Sequence, residues 1–270
     1  MKFKFLIFIF PFYIFGDFSN NCSTIGCECY LETIYRSVDV NNYPLNYFND
    51  DYNFNYEKEC LQNKPIFIPI GGCCDCASYL KKSGVRFLSY PFDWMCIGYD
   101  SLLNIIDMDF KNFLNEEFLC GEKYYVKNLL YNIIFQHEFP VETIGKEKKL
   151  SSSWIKLLPE VKDKYKRRIS RFYKALSSGR KVFFVRSLVF GQGEKISETQ
   201  LSLLENFIIK FESLVNYKFP NLDFTLCIAI VANSVKSSYE LVDNSYKNTR
   251  IFYLEWFDKP LDFMIKKLIV

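Results

Sequence analysis

The fold is decided by the stretch Ile66-Phe67-Ile68-Pro69-Ile70-Gly71-Gly72-Cys73-Cys74-Asp75-Cys76-Ala77-Ser78-Tyr79-Leu80. Its first five residues are a short apolar run closed by two glycines, which reads as a strand and a tight turn. Residues 77–82 then have helical character, and Gly84 stops them as a C-cap. A strand, a glycine turn and a helix in that order open an α/β unit.

The same alternation continues outward. Residues 101–113 carry Leu102, Ile105, Ile106, Phe110 and Phe113 at helical spacing, and 124–139 reads as extended around Ile133-Ile134-Phe135. Residues 159–176 form a long helix with its proline in the first turn, and Lys164, Arg168 and Arg171 lie along a solvated stripe. A buried strand at 181–185, a helix at 200–215 and strands at 224–231 and 251–256 complete the set. Strands alternating with helices of this length predict an α/β fold. Its mainly parallel sheet is flanked by helices as a three-layer sandwich, an arrangement that also admits a papain-like topology.

The 270 residues hold 34 Lys+Arg against 31 Asp+Glu, a net charge of +3 that is too weak a field for nucleic acid as the main partner. A single histidine excludes any zinc site that needs two imidazoles. Aromatic residues reach 19%, alongside many Ile, Asn and Lys; A+T-rich codons account for that, so an exposed Phe or Tyr says little here. Lys2 and Lys4 precede an apolar run over 5–15, which is shorter than the ~20 residues a membrane span needs. Residues 1–16 therefore read as a signal peptide, which predicts a secreted or secretory-lumen protein with no stable membrane span. The alternative is a buried element of the fold, in a cytoplasmic protein. Residues 17–64 are an irregular Asn- and Tyr-rich extension, and 65–270 is the α/β domain.

Ten cysteines are present. In an oxidising compartment Cys22, Cys27, Cys29 and Cys60 could staple the extension, and the sequon Asn21-Cys22-Ser23 fits that compartment. In a reducing one they are small hydrophobes. Neither Cys22-x4-Cys27-x-Cys29 nor Cys73-Cys74-x-Cys76 has paired C-x2-C spacing, so no metal is expected, and nothing calls for an organic cofactor.

The cysteine turn is where chemistry concentrates. Backbone N–H groups and the positive end of a helix dipole converge on whatever side chain stands at such a turn. A cysteine there can have its pKa lowered from about 8.5 towards roughly 3.5–7.5. Cys73, Cys76, Ala77 and Leu80 fall at i, i+3, i+4 and i+7, one core-facing stripe, which leaves Cys74 off the stripe at the helix mouth. A nucleophilic cysteine needs a base, and His137 is the sole imidazole. The competing reading makes all three cysteines core or disulfide residues, and the histidine structural.

Read outward from Cys74, the segment runs Gly71-x2-Cys74-x2-Ala77-x2-Leu80-x3-Gly84-x-Arg86-x2-Ser89-x-Pro91-Phe92-Asp93-Trp94. Later come Asp109-Phe110-x2-Phe113, Phe135-x-His137-x-Phe139, Arg167-Arg168-x2-Arg171-Phe172 and Phe184-Val185-Arg186. Over about residues 65–190 this resembles the signature of a family of papain-like cysteine peptidases. It departs at Pro69, Val85 and Glu138, where the family has Ser, Leu and Asp. The resemblance implies a peptidase with a Cys–His pair and a papain-like fold.

The group that orients the histidine stays open between Asn233, which follows a strand and comes after the histidine in chain order, and Asp93 in the signature block. For Asp93 the bland role is a turn aspartate bonded to local backbone. Glu138 neighbours the histidine on a strand and so points to the other face. Arg186 either pairs with Asp93 or holds a substrate carboxylate. The expected function is thus a cysteine-nucleophile hydrolase or acyl-transferase acting on a peptide or other acyl substrate. The alternative is a non-catalytic, disulfide-stabilised secreted binding module on the same scaffold. A nucleotide- or sugar-handling transferase ranks last, for want of a complete phosphate-binding motif.

Overall fold

A computed structural model describes residues 64–72, 74–190, 196–232, 235, 237–241, 246–255 and 261–269. The expected leader, nearly all of the extension, Cys73 and Asn233 lie outside the described residues. The order begins with β1 (Ile66–Pro69), α1 (Asp75–Lys82), β2 (Met95–Cys96), α2 (Tyr99–Asp107), β3 (Leu119–Gly121), β4 (Val126–Asn128) and β5 (Ile133–Phe135). A hairpin of β6 (Val141–Ile144) and β7 (Glu147–Leu150) leads to α3 (Leu158–Leu176) and β8 (Val182–Phe190). Then follow α4 (Glu198–Lys218), β9 (Phe224–Ala232), β10 (Tyr239–Leu241), β11 (Thr249–Glu255) and α5 (Asp262–Ile269).

The main sheet has the order β1-β8-β9-β11-β10, parallel throughout except for β10 at the edge, which is antiparallel to β11. The α/β expectation holds at that level. The strands β8 and β9 read as almost unbroken apolar runs because both of their faces are covered. Successive side chains point to opposite faces, and the burial follows that period. Val182 and Phe184 join the core under α2, α3 and α4, whereas Phe183 and Val185 join the one formed with Cys76 and Leu80 of α1 and Met264 and Ile265 of α5.

Between α1 and α3 lies an insertion that the sequence pattern does not announce, an antiparallel sheet of order β2-β5-β4-β3. Its strands are two or three residues long, too short to show a period, and 124–139 is resolved into the hairpin β4–β5 rather than one extended run. Likewise α2 stops at Asp107 instead of running to 113, because Asp109, Phe110 and Asn112 take positive φ. Lys218 of α4 donates to the carbonyls of Ile106 (2.9 Å) and Asp107 (2.6 Å), satisfying helix-end acceptors and placing a cation at the negative end of the dipole. The rings of Phe110 and Phe113 remain buried without the helix, Phe110 stacking on Phe92 with centroids 5.4 Å apart.

The solvated stripe expected on α3 is overturned. Arg168 is only 1% exposed, and Lys164 and Arg168 both hold Glu138, while Arg171 donates to the Ser89 carbonyl at 3.1 Å. That face of α3 looks onto the insertion, so its cations are packing and pairing groups. The cysteines expected to staple the extension, Cys22, Cys27, Cys29 and Cys60, lie outside the described residues, and Cys74, Cys76, Cys96, Cys120 and Cys227 form no disulfide. No described helix is long and apolar enough to cross a membrane.

Phe184 ties this architecture together: it lies between strand and helices, 5.3 Å from Phe211, 6.0 Å from Phe224 and 6.5 Å from Phe172, centroid to centroid. Phe184→Ala should lower stability by about 3–5 kcal/mol in urea unfolding. Exposed Ile209→Ala should stay within about 0.5 kcal/mol of the parent.

Candidate functional site

The strand β1 ends at Pro69, level with Val185, whereas β8 runs on to Phe190. The glycine turn therefore folds against the flank of a longer strand. Gly71 and Gly72 have φ of +77° and +98°, a region that L side chains avoid. Space is equally restrictive: a Cβ on Gly72 would come 2.4 Å from the Ser187 carbonyl oxygen, and one on Gly71 2.0 Å from Cγ2 of Ile97. Both glycines are required by conformation and by contact.

The turn delivers Cys74 to the N-cap of α1, half-buried and in no disulfide. Its side chain makes no capping bond to the first-turn amides. The stripe expected from the sequence is present among the described residues: Cys76, Ala77 and Leu80 are fully buried. The Cys76 thiol lies 3.5 Å from the Val185 carbonyl. Cys74 is thus the thiol at the helix mouth and Cys76 is core.

Arg186 sits mid-strand in β8, buried, not at a strand end. Its Nη1 donates to the Ile70 carbonyl at 3.0 Å and its Nη2 to the Ile97 carbonyl at 2.7 Å. The guanidinium also lies over the rings of Tyr99 (4.7 Å) and Phe207 (5.5 Å). Expected either to pair with Asp93 or to take a substrate carboxylate, Arg186 ties the turn to the end of β2 through these two bonds. Asp93 pairs with Arg86, a residue named in the sequence pattern but not given this role.

The Asp93 carboxylate accepts from Arg86 Nη2 and, at 3.1 Å, from the Tyr90 N–H, while the Asp93 N–H donates back to the Tyr90 carbonyl at 3.4 Å. This is the local turn role, with Pro91 in the second position that such turns favour. Burial pushes the Asp93 carboxyl above its ordinary range, against the pull of Arg86, Arg168 and the Tyr90 amide.

His137 lies two residues beyond β5. Its ring packs on Trp94 in a T-shaped contact, centroids 6.3 Å apart. Solvent reaches the residue, yet the protein gathered around the imidazole lowers its pKa below the ordinary 6.5; Glu138 opposes this and Lys164 adds to it. Glu138 turns away as expected, into hydrogen bonds with Lys164 (2.7 Å), Tyr165 (3.1 Å) and Arg168 (3.1 Å). Burial works to raise the Glu138 carboxyl, but Arg168 and Lys164 prevail and hold it below its usual range.

The Cys74 thiol and the imidazole stand on separate elements, at the N-cap of α1 and in the segment after β5. What links their surroundings is the segment 94–97: Ile97 closes over Gly71, and Trp94 packs on His137. Three residue steps span at most about 11 Å. Among the described residues there is also no cluster of three or more His, Cys, Asp or Glu that could hold a metal ion.

Comparison with known proteins assigns the chain. Residues 66–234 match the family model described as "Putative papain-like cysteine peptidase (DUF1796)". The chain belongs to this family. The matched span runs from the first residue of β1 to just past β9 and takes in Cys74, Asp93, His137, Arg186 and Asn233. The chain is also similar to the uncharacterized protein R408 of Acanthamoeba polyphaga mimivirus, 25% identical over 213 residues, 71% of this chain and 89% of that protein. No solved structure matches. Family membership and the thiol at the mouth of α1 thus meet on one segment.

The glycine requirement is measurable. Gly72→Ala combines a disfavoured φ with a backbone collision and should cost about 3 kcal/mol or more in urea unfolding. Gly84→Ala, at φ +71° with nothing within 4 Å of the new Cβ, should cost only about 1–2 kcal/mol.

Proposed function

We propose that the chain is a cysteine-nucleophile hydrolase acting on a peptide or related acyl bond, with Cys74 as nucleophile and His137 as its proton acceptor and donor. The observation that carries this reading is the half-buried Cys74 thiol at the N-cap of α1, behind two glycines that admit no side chain. Membership of a family described as cysteine peptidases supports the same chemistry.

In the first step the Cys74 sulfur attacks the acyl carbonyl while His137 takes the thiol proton. The oxyanion is met by first-turn amides of α1, aided by the helix dipole. His137 then gives the proton to the leaving amine, and water, activated by the same imidazole, releases the acyl group. Closing Cys74 onto His137 is left to the substrate-bound state, since catalytic hydrogen bonds often tighten only there. Asn233, the residue after β9, is proposed as the group that bonds the imidazole directly. Asp93, spent on Arg86 and Tyr90, acts at one remove. The expected secretory location rests on residues 1–16 and stays part of the proposal.

Iodoacetamide near neutral pH should label Cys74 ahead of Cys76, Cys96, Cys120 and Cys227, read by peptide mass mapping. Cys76 and Cys227 should not label in the folded protein, being fully buried. Labelling of Cys74 no faster than Cys96 and Cys120 would remove the nucleophile.

The pH profile supplies a second check. A base must be unprotonated to act, and a lowered pKa keeps the imidazole neutral further into acid. The acid limb of kcat/KM on fluorogenic peptides should therefore fall below pH 6.5. His137→Gln and Cys74→Ala should each abolish turnover.

A further inference from the structure

We propose that Trp94 is a positioning residue: its indole, held from behind by the buried Arg86–Asp93 pair, sets the orientation of the His137 imidazole. The block Tyr90-Pro91-Phe92-Asp93-Trp94 assigns each side chain a task that ends at that ring. Pro91 bends the turn that the Asp93 carboxylate and backbone close onto Tyr90. Phe92, fully buried, anchors the turn on Phe110 (5.4 Å) and Phe172 (5.9 Å). Asp93 and Ser89 both accept from Nη2 of Arg86, which fixes the guanidinium. That guanidinium stands 5.9 Å from the centre of the Trp94 ring. The indole therefore has a fixed cation on one side and the imidazole on another, 6.3 Å away and at 83° to it.

Both contacts have a preferred geometry, because an aromatic ring attracts a cation over its face and a second ring edge-on. A ring pinned by a fixed cation can pass its orientation on to the next. The imidazole has need of this, since the neighbouring carboxylate of Glu138 is committed to Lys164, Tyr165 and Arg168. One Asp93 oxygen and the Arg86 Nε, both buried, have no hydrogen-bond partner among the described residues. A pair kept despite that cost has a positional use, and the next side chain along is Trp94. The catalytic significance of the inference rests on the proposed role of His137; the geometry does not.

The chain's one histidine makes the test direct, because the imidazole Cε1–H signal of the full-length protein can be titrated without assignment. In Trp94→Leu the signal should lose its indole ring-current shift and its pKa should rise towards 6.5 as the ring is opened to water. Trp94→Phe, which keeps an aromatic partner and much of the volume, should lie between this variant and the parent. The double variant Arg86→Met with Asp93→Asn removes the pair without stranding one buried charge, and should move the signal as Trp94→Leu does.

If Trp94→Leu folds, by circular dichroism and melting, and leaves both shift and pKa of His137 at the parent's values, the proposal fails. If Trp94→Leu does not fold, the other two variants decide the matter by the same two readouts. Iodoacetamide labelling of Cys74 across pH separates the two claims. An acid limb that moves with the His137 pKa supports both, with kcat/KM on peptides down by about 10–100-fold in Trp94→Leu. Labelling indifferent to His137→Gln, with the imidazole signal still responding to Trp94→Leu, upholds the positioning role and overturns the catalytic reading.

Discussion

Two hydrogen bonds from one buried guanidinium join the halves of this molecule. Arg186 rises from the middle of β8, where a parallel strand covered on both faces would ordinarily carry an apolar side chain. It reaches the carbonyl of Ile70, at the end of β1, and that of Ile97, just past β2. Those carbonyls follow directly on strands of different sheets. Buried carbonyls need partners, and a guanidinium is rigid enough to fix two of them at a set separation. The faces of Tyr99 and Phe207 make up some of the hydration that the cation loses. The position of the glycine turn, and hence of Cys74, follows from this clamp and from the close approach of Gly71 to Ile97 and of Gly72 to Ser187.

The insertion stands in the same relation to the imidazole. Its two-residue strand β2 pairs with β5, Met95 opposite Phe135 and Cys96 opposite Ile134, so the chain just before β2 lies beside the chain just after β5. Trp94 and His137 occupy those flanks. The sheet that carries them is thin, and much of its anchoring comes from aromatic contacts with α3, such as Phe135 on Tyr165 at 5.7 Å. A long helix in the main layer thus supports both the strand register and the cations that take up Glu138.

The parts of this arrangement legible in the sequence are those where one signal dominates locally. Buried parallel strands announce themselves as apolar runs, and α1 follows from a glycine turn and an i, i+3, i+4, i+7 stripe. Cys74 separates from Cys76 on that spacing alone. The rest depends on tertiary partners. Nothing local marks Met95 and Cys96 as a strand, because a two-residue ladder has no period. Arg168 looks like a surface cation until the insertion covers it. The sequence offers Asp93 a distant partner in Arg186, yet the ion pair forms with Arg86, seven residues back. Two opposite charges flanking a Pro turn are the local signal for it. Asp109, Phe110 and Asn112 leave the helix at positive φ, and the carbonyls freed at the end of α2 are met by Lys218, far along the chain.

The protonation state of a Cys–His couple is decided by a difference rather than by either pKa. A thiol at a helix N-terminus is shifted down by the dipole and the free amides. If the imidazole kept its ordinary value or rose above it, the proton would pass to the ring and the resting pair would be ionic. Here the ring is shifted down, by lost hydration and by Lys164, with Glu138 as the opposing influence. Glu138 is the carboxylate that could tip the balance, since it is the residue adjoining His137. Its charge is largely answered by Lys164 and Arg168, and Tyr165 takes a further oxygen contact. The basic face of α3 therefore acts on the imidazole through a third party: by binding Glu138 it limits how far that carboxylate can stabilise an imidazolium. An imidazole left neutral in this way is in the state that the proposed attack by Cys74 requires of its base.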